Sequence, residues 1–196
     1  MRNDAGKVGE YLIYKTLKSY ENEKGKFLFN LYLPKEEDET TEIDVVFISS
    51  KGIFVFESKN YSGWIFGDEK QAFWTQTLPK GRNRSQKEKF YNPILQNKKH
   101  IQYLEKRIGE GIPLFSVVVF SDKCTFKNMN VQNTDTKVIH NIELYSLMSE
   151  FFNNKPDVLT ASQVDEIYNV LYPFSQVDKE VKEKHIQKIN ENINLK

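Results

Sequence analysis

Two carboxylates and one ammonium group in the first third of the chain have the residue types and the spacing of a divalent-metal site. Twelve residues separate Asp44 from Glu57, and Lys59 lies two positions after Glu57. Carboxylate oxygens are the hard ligands that Mg²⁺ prefers, and Mg²⁺ commonly keeps positions for water and phosphate. A lysine beside such a site suits a developing negative charge on a phosphate, or the holding of an attacking water. We therefore take these three residues as a candidate site for metal-assisted chemistry.

The elements that must position these residues are two strands rich in β-branched and aromatic side chains. The segments Glu42–Ser49 (EIDVVFIS) and Gly52–Asn60 (GIFVFESKN) fit this description. Their apolar stretches are nearly continuous, which is typical of strands that are covered on both faces. Side chains two positions apart on a strand share a face, so we expect Glu57 and Lys59 to project in the same direction.

The turn between the two strands decides whether Asp44 meets Glu57. Ser50-Lys51 followed by Gly52 is a hairpin signal. With a two-residue loop, Ser49 pairs with Gly52, and Asp44 then lies directly opposite Glu57 with Cβ atoms about 5 Å apart. A three-residue loop with Gly52 as a bulge would shift the pairing by one residue.

An ordinary salt bridge is the alternative explanation for these charges. In that case Lys59 neutralises one carboxylate, and the other carboxylate faces solvent. Opposed like charges repel across a sheet, and a charge at the end of an apolar run is costly unless it is paired or used. This context favours a divalent cation shared by Asp44 and Glu57.

Capping residues and hydrophobic periodicity predict the remaining elements. Helices are predicted at Asp4–Tyr20, from Asn92-Pro93 to Gly109, at Asn141–Phe152, from a Thr160–Gln163 capping box to Leu171, and after a second capping box at Ser175–Asp178. Strands are predicted at Lys26–Leu33, Leu114–Phe120 and Lys137–His140, with a weaker candidate at Gln71–Leu78, whereas Gly81–Lys89 is predicted to be a polar, basic loop. Gly6 and Gly9 in the first helix indicate close packing on the sheet, or else a frayed start. The element order predicts an α/β fold with a mixed sheet flanked by helices.

The spacing of Asp44 and Glu57-Ser58-Lys59 resembles the Asp…(Asp/Glu)-x-Lys signature of the PD-(D/E)xK nuclease superfamily. The surrounding sequence is more specific, and over roughly residues 4–122 it resembles the nuclease-related domain, NERD. The matching segments are Gly6–Glu10 (GKVGE), Glu42–Asp44 (EID), Gly52–Gly63 (GIFVFESKNYSG), Ile65–Gly67 (IFG), Trp74, and Asn92–Asn97 (NPILQN) with His100.

This resemblance implies a restriction-endonuclease-like α/β/α core with a mixed central sheet, and it implies a metal site. Asp44 and Glu57 would be the principal ligands of Mg²⁺ or Mn²⁺, helped by the backbone carbonyl of Ser58. Glu10, carried by the first helix, would reach the metal directly or through water.

The resemblance also implies catalytic roles and a domain division. Lys59 would be the catalytic lysine, and Gln96 would be the polar residue that supports the site or contacts substrate. The residue before the first acid is Ile43 where the superfamily often has proline, a departure that the superfamily tolerates. The nuclease-like domain would span residues 1–140, with a helical C-terminal extension over residues 141–196 that packs on the core or projects from it.

The chain has 28 basic and 27 acidic residues, so its net charge does not indicate a nucleic-acid-binding protein. Any surface that binds nucleic acid must therefore come from local clustering of basic residues. The densest basic residues are Lys80, Arg82, Arg84, Lys87 and Lys89, joined by Lys98 and Lys99 on the helix that carries Gln96. They could contact a phosphodiester backbone, or they could lie in a solvated loop whose charge Glu88 dilutes. Trp64, Trp74 and Tyr61 could stack on bases. Aromatic residues near strand ends more often pack in the core or at its rim, and we favour that interpretation for these three.

The remaining sequence features limit the class of protein. The single cysteine, Cys124, follows an apolar run and is predicted to be a small, buried core residue. The N-terminal segment carries charge but no apolar stretch, and no segment approaches the roughly 18 apolar residues that cross a bilayer. We therefore expect a cytoplasmic protein without a membrane partner. The last helix has a narrow apolar stripe and is a candidate contact for a homodimer.

Two functions from different classes follow from these observations. The leading hypothesis is metal-dependent hydrolysis of phosphodiester bonds in nucleic acid, with DNA as the favoured substrate. The alternative is a catalytically silent module that binds nucleic acid or a protein partner on the same fold. His100 lies four residues after Gln96 and shares its helix face, so it could shuttle a proton or simply hydrogen-bond a neighbour.

Overall fold

Five α-helices and nine strands make up the computed structural model over the residues that it describes, 5–21, 24–36, 39–81, 84–132 and 135–194. The helices are α1 (Ala5–Leu17, followed by a 3₁₀ turn at Lys18–Tyr20), α2 (Pro93–Ile108), α3 (Asn141–Asn154), α4 (Ala161–Ser175) and α5 (Lys179–Asn194). The strands are β1 (Gly25–Pro34), β2 (Thr40–Ser49), β3 (Gly52–Lys59), β4 (Gly63–Asp68), β5 (Phe73–Pro79), β6 (Ser85–Tyr91), β7 (Leu114–Phe120), β8 (Cys124–Asn130) and β9 (Thr136–His140). Asp4, the expected first residue of the first helix, lies outside the described residues.

The central sheet has five strands in the order β1-β2-β3-β7-β9. Its first three strands are antiparallel neighbours, whereas β7 runs parallel to both β3 and β9. Parallel neighbours need a crossover connection, and α2 lies in the connection from β3 to β7. The sheet is therefore mixed, as predicted.

Helices cover both faces of this sheet and complete an α/β/α arrangement. One apolar cluster joins α1 and α3 to β2, β3 and β7, and its members include Ile13, Leu17, Phe47, Phe56, Val117 and Met148. The cluster on the opposite face joins α2 and α4 to β1, β2 and β3, and its members include Leu31, Val46, Val55, Leu104, Ile167 and Leu171. The expected α/β fold class with C-terminal helices is confirmed.

The turn between β2 and β3 has the two-residue loop. Ser49 pairs with the first residue of β3, and the ladder ends where Val45 pairs with Phe56. The next residues outward on the two strands are Asp44 and Glu57. The turn has therefore set the register that the candidate site requires.

A second sheet, absent from the sequence prediction, contains four strands in the order β6-β5-β4-β8. Only β5 corresponds to a predicted strand, the weak candidate at Gln71–Leu78. The prediction of a polar loop at Gly81–Lys89 is wrong, because β6 pairs with β5 along its whole length. The β6 sequence SQKEKFY has no apolar run, so cross-strand pairing rather than intrinsic propensity makes it a strand.

Close packing of α1 on the sheet explains one glycine of the first helix. A Cβ atom at Gly9 would lie 2.2 Å from Oγ of Ser58 and 3.2 Å from Cβ of Asn60. A larger residue would therefore push α1 away from the end of β3. Close packing, rather than a frayed start, is the correct interpretation of Gly9.

The helices after residue 140 lie on the core in different ways. α3 and α4 each contribute to one of the two apolar clusters of the central sheet. His185 is the single buried side chain among those described on α5, and the expected apolar stripe is largely exposed, with Ile186 at 55% and Ile189 at 45%. Contact with a second copy through α5 stays a prediction. None of the helices in the described ranges is long and apolar enough to cross a membrane.

Helix capping in this region agrees with the prediction for α4 and differs for α5. Thr160 and Gln163 form the expected capping box. The carboxylate of Asp178 accepts a 3.0 Å hydrogen bond from the backbone N–H of Val181, whereas the Ser175 hydroxyl donates back into the preceding helix. The prediction of a second capping box is therefore wrong, and Asp178 alone caps α5.

Candidate active site

The site begins at an irregularity that β1 and β2 share. The two strands pair on both sides of Asn30 and Asp44, but these two facing residues do not pair. Asn30 has a φ of +51°, a left-handed conformation that costs most non-glycine residues about 1–2 kcal/mol and that asparagine adopts more readily. Ile43 and Val46 belong to the same apolar cluster although regular alternation would place them on opposite faces. The irregularity therefore frees Asn30 and Asp44 from the core, and strain of this kind concentrates at functional sites.

Asp44 and Glu57 come together at the end of the β2–β3 hairpin. The Asp44 carboxylate accepts a 2.7 Å hydrogen bond from the backbone N–H of Ser58. The N–H and C=O of one strand residue point to the same side, so the Ser58 carbonyl also points towards Asp44. Glu57 is only 1% exposed, whereas Asp44 keeps part of its surface in contact with solvent. Three oxygen-bearing groups therefore border one region.

Lys59 connects this acidic pair to α2. Its ammonium group forms an ion pair with Oε1 of Glu57 and donates a hydrogen bond of 3.2 Å to Oε1 of Gln96. α2 starts where expected, because the Asn92 side chain accepts a 2.9 Å hydrogen bond from the N–H of Ile94. Its first turn carries Gln96 to the end of the lysine side chain.

His100 lies one helical turn after Gln96 and faces the second oxygen of Glu57. Its Nδ1 is 3.4 Å from Oε2 of Glu57, and the two side chains are 6% and 1% exposed. Within the described part of the chain, neither atom has a hydrogen-bond partner. Buried polar atoms are rarely left unpaired, so each such atom calls for an explanation. Oε2 of Glu57 is therefore a buried oxygen that accepts no hydrogen bond from the described residues.

Burial and mutual repulsion set the protonation of the site. Burial, and after it the charge of Glu57, raises the pKa of Asp44 to about 8. Burial also raises the pKa of Glu57, against the lowering effect of Lys59. Burial by itself would lower the pKa of Lys59, but the two carboxylates outweigh it and hold this pKa above its ordinary value. The site thus contains a protonated lysine and two carboxylates that resist joint ionisation.

We expect His100 to stay neutral throughout the physiological range. Burial, followed by the positive charge of Lys59, lowers its pKa to about 3. The NMR shift of its Hε1 proton is therefore expected to be constant from about pH 5 to pH 8. The control is the same chain in denaturant, where the signal should titrate near the ordinary histidine pKa of about 6.5. A midpoint between pH 5 and pH 8 in the folded protein would contradict the assignment.

Glu10 reaches the same region from α1. Its carboxylate accepts a hydrogen bond from the side-chain amide of Asn30, the residue that faces Asp44. Burial and a hydrogen bond to Glu42 raise the pKa of the Tyr32 phenol, and the charges of Glu10 and Asp44 add to this effect. The structure therefore places Glu10 against Asn30, the residue of β1 that lies opposite Asp44.

Asn30 offers a test of this connection. Asn30→Gly keeps the left-handed backbone and removes the amide, so we expect weaker Mn²⁺ binding with a nearly unchanged melting temperature. Asn30→Ala removes the same amide and adds about 1–2 kcal/mol of backbone strain, so its melting temperature should also fall. Calorimetric titration with Mn²⁺ and thermal unfolding measure the two effects. Unchanged Mn²⁺ affinity in Asn30→Gly would show that this amide does not position Glu10 for a metal.

His185 of α5 closes one border of the site. Its Nδ1 is 2.9 Å from Oγ1 of Thr40, and its Nε2 is 3.6 Å from Oε2 of Glu42. Its ring meets the Tyr32 ring edge-on with centroids 5.4 Å apart, and the Tyr32 hydroxyl donates to Glu42. α5 is therefore anchored on β1 and β2, and Glu42 lies two residues before Asp44 on β2.

The basic residues expected to contact nucleic acid lie on two elements. One group surrounds the β5–β6 hairpin and the other lies on the exposed surface of α2. The first group is Lys80 and Arg84, which flank the turn, with Lys87 and Lys89 on β6, and the second is Lys98 and Lys99. Arg82 lies outside the described residues. Contact of these side chains with nucleic acid stays a prediction.

The aromatic residues and the cysteine divide between core and surface. Trp74 is 1% exposed, Tyr61 packs edge-on against Phe90, and Cys124 is 5% exposed, so packing is the correct interpretation for these residues. Trp64 differs, because 45% of its surface is exposed on β4.

The oxygen donors of the site fit a hard divalent cation. One buried oxygen of Glu57 accepts no hydrogen bond from the described residues, and a cation would relieve the repulsion between Glu57 and Asp44. Over the described ranges, no group of three or more His, Cys, Asp or Glu side chains is arranged to hold a metal ion. A cation bound here would take two carboxylates and complete its coordination with the Ser58 carbonyl, water or substrate oxygen, a pattern typical of Mg²⁺.

Sequence reasoning missed several residues around the acidic pair. Asn30 carries the only sequence signal, since asparagine is enriched in left-handed conformations, but nothing in a strand-like run marks where the backbone turns. His185 was given no role, because its place beside the site depends on how α5 docks. The residues missed are Asn30, Tyr32, Glu42 and His185.

A buried acid–acid–lysine group at the end of a hairpin, in an α/β/α core, defines a nuclease-like class of protein. Comparison with known sequences makes this more specific. The chain belongs to the nuclease-related domain family, whose sequence model matches residues 5–121. It is also similar to an uncharacterized protein of Bacillus anthracis, with 34% identity over 183 residues that cover 93% of this chain and 82% of that protein. No solved structure gave a significant match.

Proposed function

We propose that this protein is a metal-dependent nuclease that hydrolyses phosphodiester bonds, with DNA as the favoured substrate. The observation that carries the proposal is the convergence of Asp44, Glu57 and Lys59 beside a buried carboxylate oxygen without a partner. Two neighbouring acids of this kind destabilise a fold unless a cation or a proton neutralises one of them. Membership of the nuclease-related domain family supports the same chemistry.

Each residue of the site has a role in this proposal. Asp44 and Glu57 hold Mg²⁺ or Mn²⁺ together with the Ser58 carbonyl, and Glu10 completes the surroundings of the ion. When bound, the ion lowers the pKa of a coordinated water and balances charge on the phosphate. Lys59 donates a hydrogen bond to the attacking water or to a phosphoryl oxygen, since its pKa keeps it protonated.

Two residues of α2 support this lysine and glutamate. Gln96 accepts a hydrogen bond from Lys59 and so restricts the direction of its ammonium group. His100 stays neutral beside Glu57, so it adds no competing positive charge, and its burial excludes water from that side. Fixed, dry surroundings of this kind strengthen electrostatic stabilisation of a transition state.

Cleavage assays test the proposal directly. Supercoiled plasmid, single-stranded DNA and RNA are incubated with the protein in Mg²⁺, in Mn²⁺ and in EDTA. The expected result is cleavage of DNA with either metal and none in EDTA. Full activity in EDTA would contradict metal dependence, and intact substrates under all conditions would contradict nuclease activity.

A binding module without turnover is the second candidate. The ion pair between Lys59 and Glu57 favours it, since it partly neutralises the acidic pair without any cation. If the protein is such a module, nucleic acid or a protein partner should bind with the same affinity in EDTA and in Mn²⁺. No cleavage should then occur with any metal.

A further inference from the structure

The face of the second sheet that points away from the core has residues unlike those of the acidic site. Its inner face is apolar and packs around Ile65, Trp74 and Cys124. Side chains alternate along a strand, so Trp64 and Phe66 of β4 project to the opposite face. We call this opposite side the outer face. Its residues on β4, β5 and β6 include Trp64, Phe66, Asp68, Phe73, Thr75, Thr77, Lys87, Lys89 and Tyr91, of which Thr77 is buried.

The strand register places aromatic and basic side chains in rows across the outer face. Trp64 pairs with Thr77, which pairs with Lys87, so one row joins a tryptophan to a lysine. In the next row, Thr75 lies between Phe66 and Lys89. Neighbouring strands are about 4.8 Å apart, so roughly 10 Å separates the aromatic and lysine backbones of a row.

The alternation of side chains along β6 also places its basic and acidic residues on opposite faces of the sheet. Lys87 and Lys89 project to the outer face, whereas Gln86 and Glu88 project to the other face, where they bond to each other. Both lysines are exposed, and the Trp64 side chain, at 45% exposure, is among the most exposed large apolar groups of the chain. A chain with nearly balanced charge thus has a locally basic, aromatic surface.

We propose that the outer face binds single-stranded nucleic acid, with a base stacked on Trp64 and the adjoining backbone on Lys87 and Lys89. The proposal rests on the proposed function in taking nucleic acid as the ligand of this protein. Base stacking on an aromatic side chain contributes about 1–3 kcal/mol per base and tolerates any sequence. Lysines that neutralise phosphates add a salt-dependent contribution.

Two features favour a single strand over other occupants. Bases of a duplex are stacked on one another and cannot cover an exposed tryptophan, whereas unpaired bases are free to do so. A second copy of the chain, docked through the same face, would bring exposed lysines of like charge together. On the same face, Phe73 is 44% exposed and packs edge-on against Tyr91, beyond the row of Phe66 and Thr75.

Tryptophan fluorescence tests the proposal, because the chain has only two tryptophans and Trp74 is buried. Oligothymidylate of about 12 nucleotides is titrated in EDTA, so that no metal-dependent cleavage takes place. We expect quenching in the wild type and no quenching in Trp64→Phe, whose single remaining tryptophan is in the core. Anisotropy of a labelled oligonucleotide should show Trp64→Ala binding about tenfold or more weakly.

Charge and control variants complete the test. Lys87→Ala with Lys89→Ala should lower the affinity and flatten its dependence on salt, whereas Lys179→Ala and Tyr172→Ala, exposed residues on α5 and α4, should leave both unchanged. Equal affinity of Trp64→Ala and wild type, equal binding of duplex, or a concentration-dependent dimer lost in Trp64→Ala would each overturn the proposal. Binding is measured in EDTA and cleavage is measured separately in Mn²⁺, so a failure of catalysis is distinguishable from a failure of this surface.

Discussion

Replacing Lys59 with alanine is expected to reduce metal-dependent cleavage of DNA by about 100-fold or more. The lysine ammonium is held between Glu57 and Gln96, and the neighbouring carboxylates keep it protonated. No other described cation is bonded to Glu57 in this way, since His100 is neutral. The loss of cleavage is measured as the initial rate of plasmid nicking at saturating Mn²⁺.

The effect on catalysis must be separated from an effect on folding. Removing one partner of a buried ion pair costs about 3–5 kcal/mol, so thermal unfolding is recorded with and without Mn²⁺. A melting temperature of Lys59→Ala that still rises with Mn²⁺ would show that the variant folds and retains its metal ligands. Lys137→Ala, an exposed lysine on β9, is the matched control and should cleave normally. Wild-type rates in Lys59→Ala would reject the catalytic role.

Replacing Asp44 with asparagine is expected to stabilise the metal-free protein while it abolishes cleavage. The folded-state pKa of Asp44 is about 8 against an ordinary value of 3.8, so folding favours its protonated form. The stability that this group supplies is complete below about pH 4 and is lost as the pH rises through about 8. Asparagine has no such titration and still accepts the hydrogen bond from Ser58.

The difference in melting temperature between Asp44→Asn and wild type should therefore grow from about pH 4 to about pH 8 and then level off. Each kcal/mol of relieved repulsion corresponds to about 2–4 °C for a chain of this size. Scanning calorimetry in EDTA measures the difference, and addition of Mn²⁺ should raise the melting temperature of the wild type alone. A variant that is less stable than wild type at pH 8 in EDTA would show that Asp44 is a structural salt-bridge partner.

The sequence anticipated the central sheet better than the second one. β2, β3 and β7 are apolar runs bounded by turn residues, and such runs form strands wherever they are buried. β6 and β8 have polar sequences whose strand character comes from hydrogen bonds to a neighbouring strand, a partner that lies outside any local window. The segment that includes Lys87 was for this reason interpreted as a loop.

The candidate site shows the same division. The types and spacing of Asp44, Glu57 and Lys59 predicted that these groups meet if the turn between their strands has two residues, and the structure has that turn. The role of Gln96 followed from the family resemblance, and the place of His100 on the same helix face followed from helical periodicity, since residues four apart share a face.

Local sequence therefore determined the hairpin, its register and the helix face that supports the lysine, because turn geometry and residue period act over short distances. Tertiary structure alone decided the left-handed turn at Asn30 opposite Asp44, the docking of His185 beside Glu42, and the exposure of Trp64. These features depend on contacts between residues distant in the chain. Their energies arise only when helices and sheets pack together, and no spacing in the sequence encodes them.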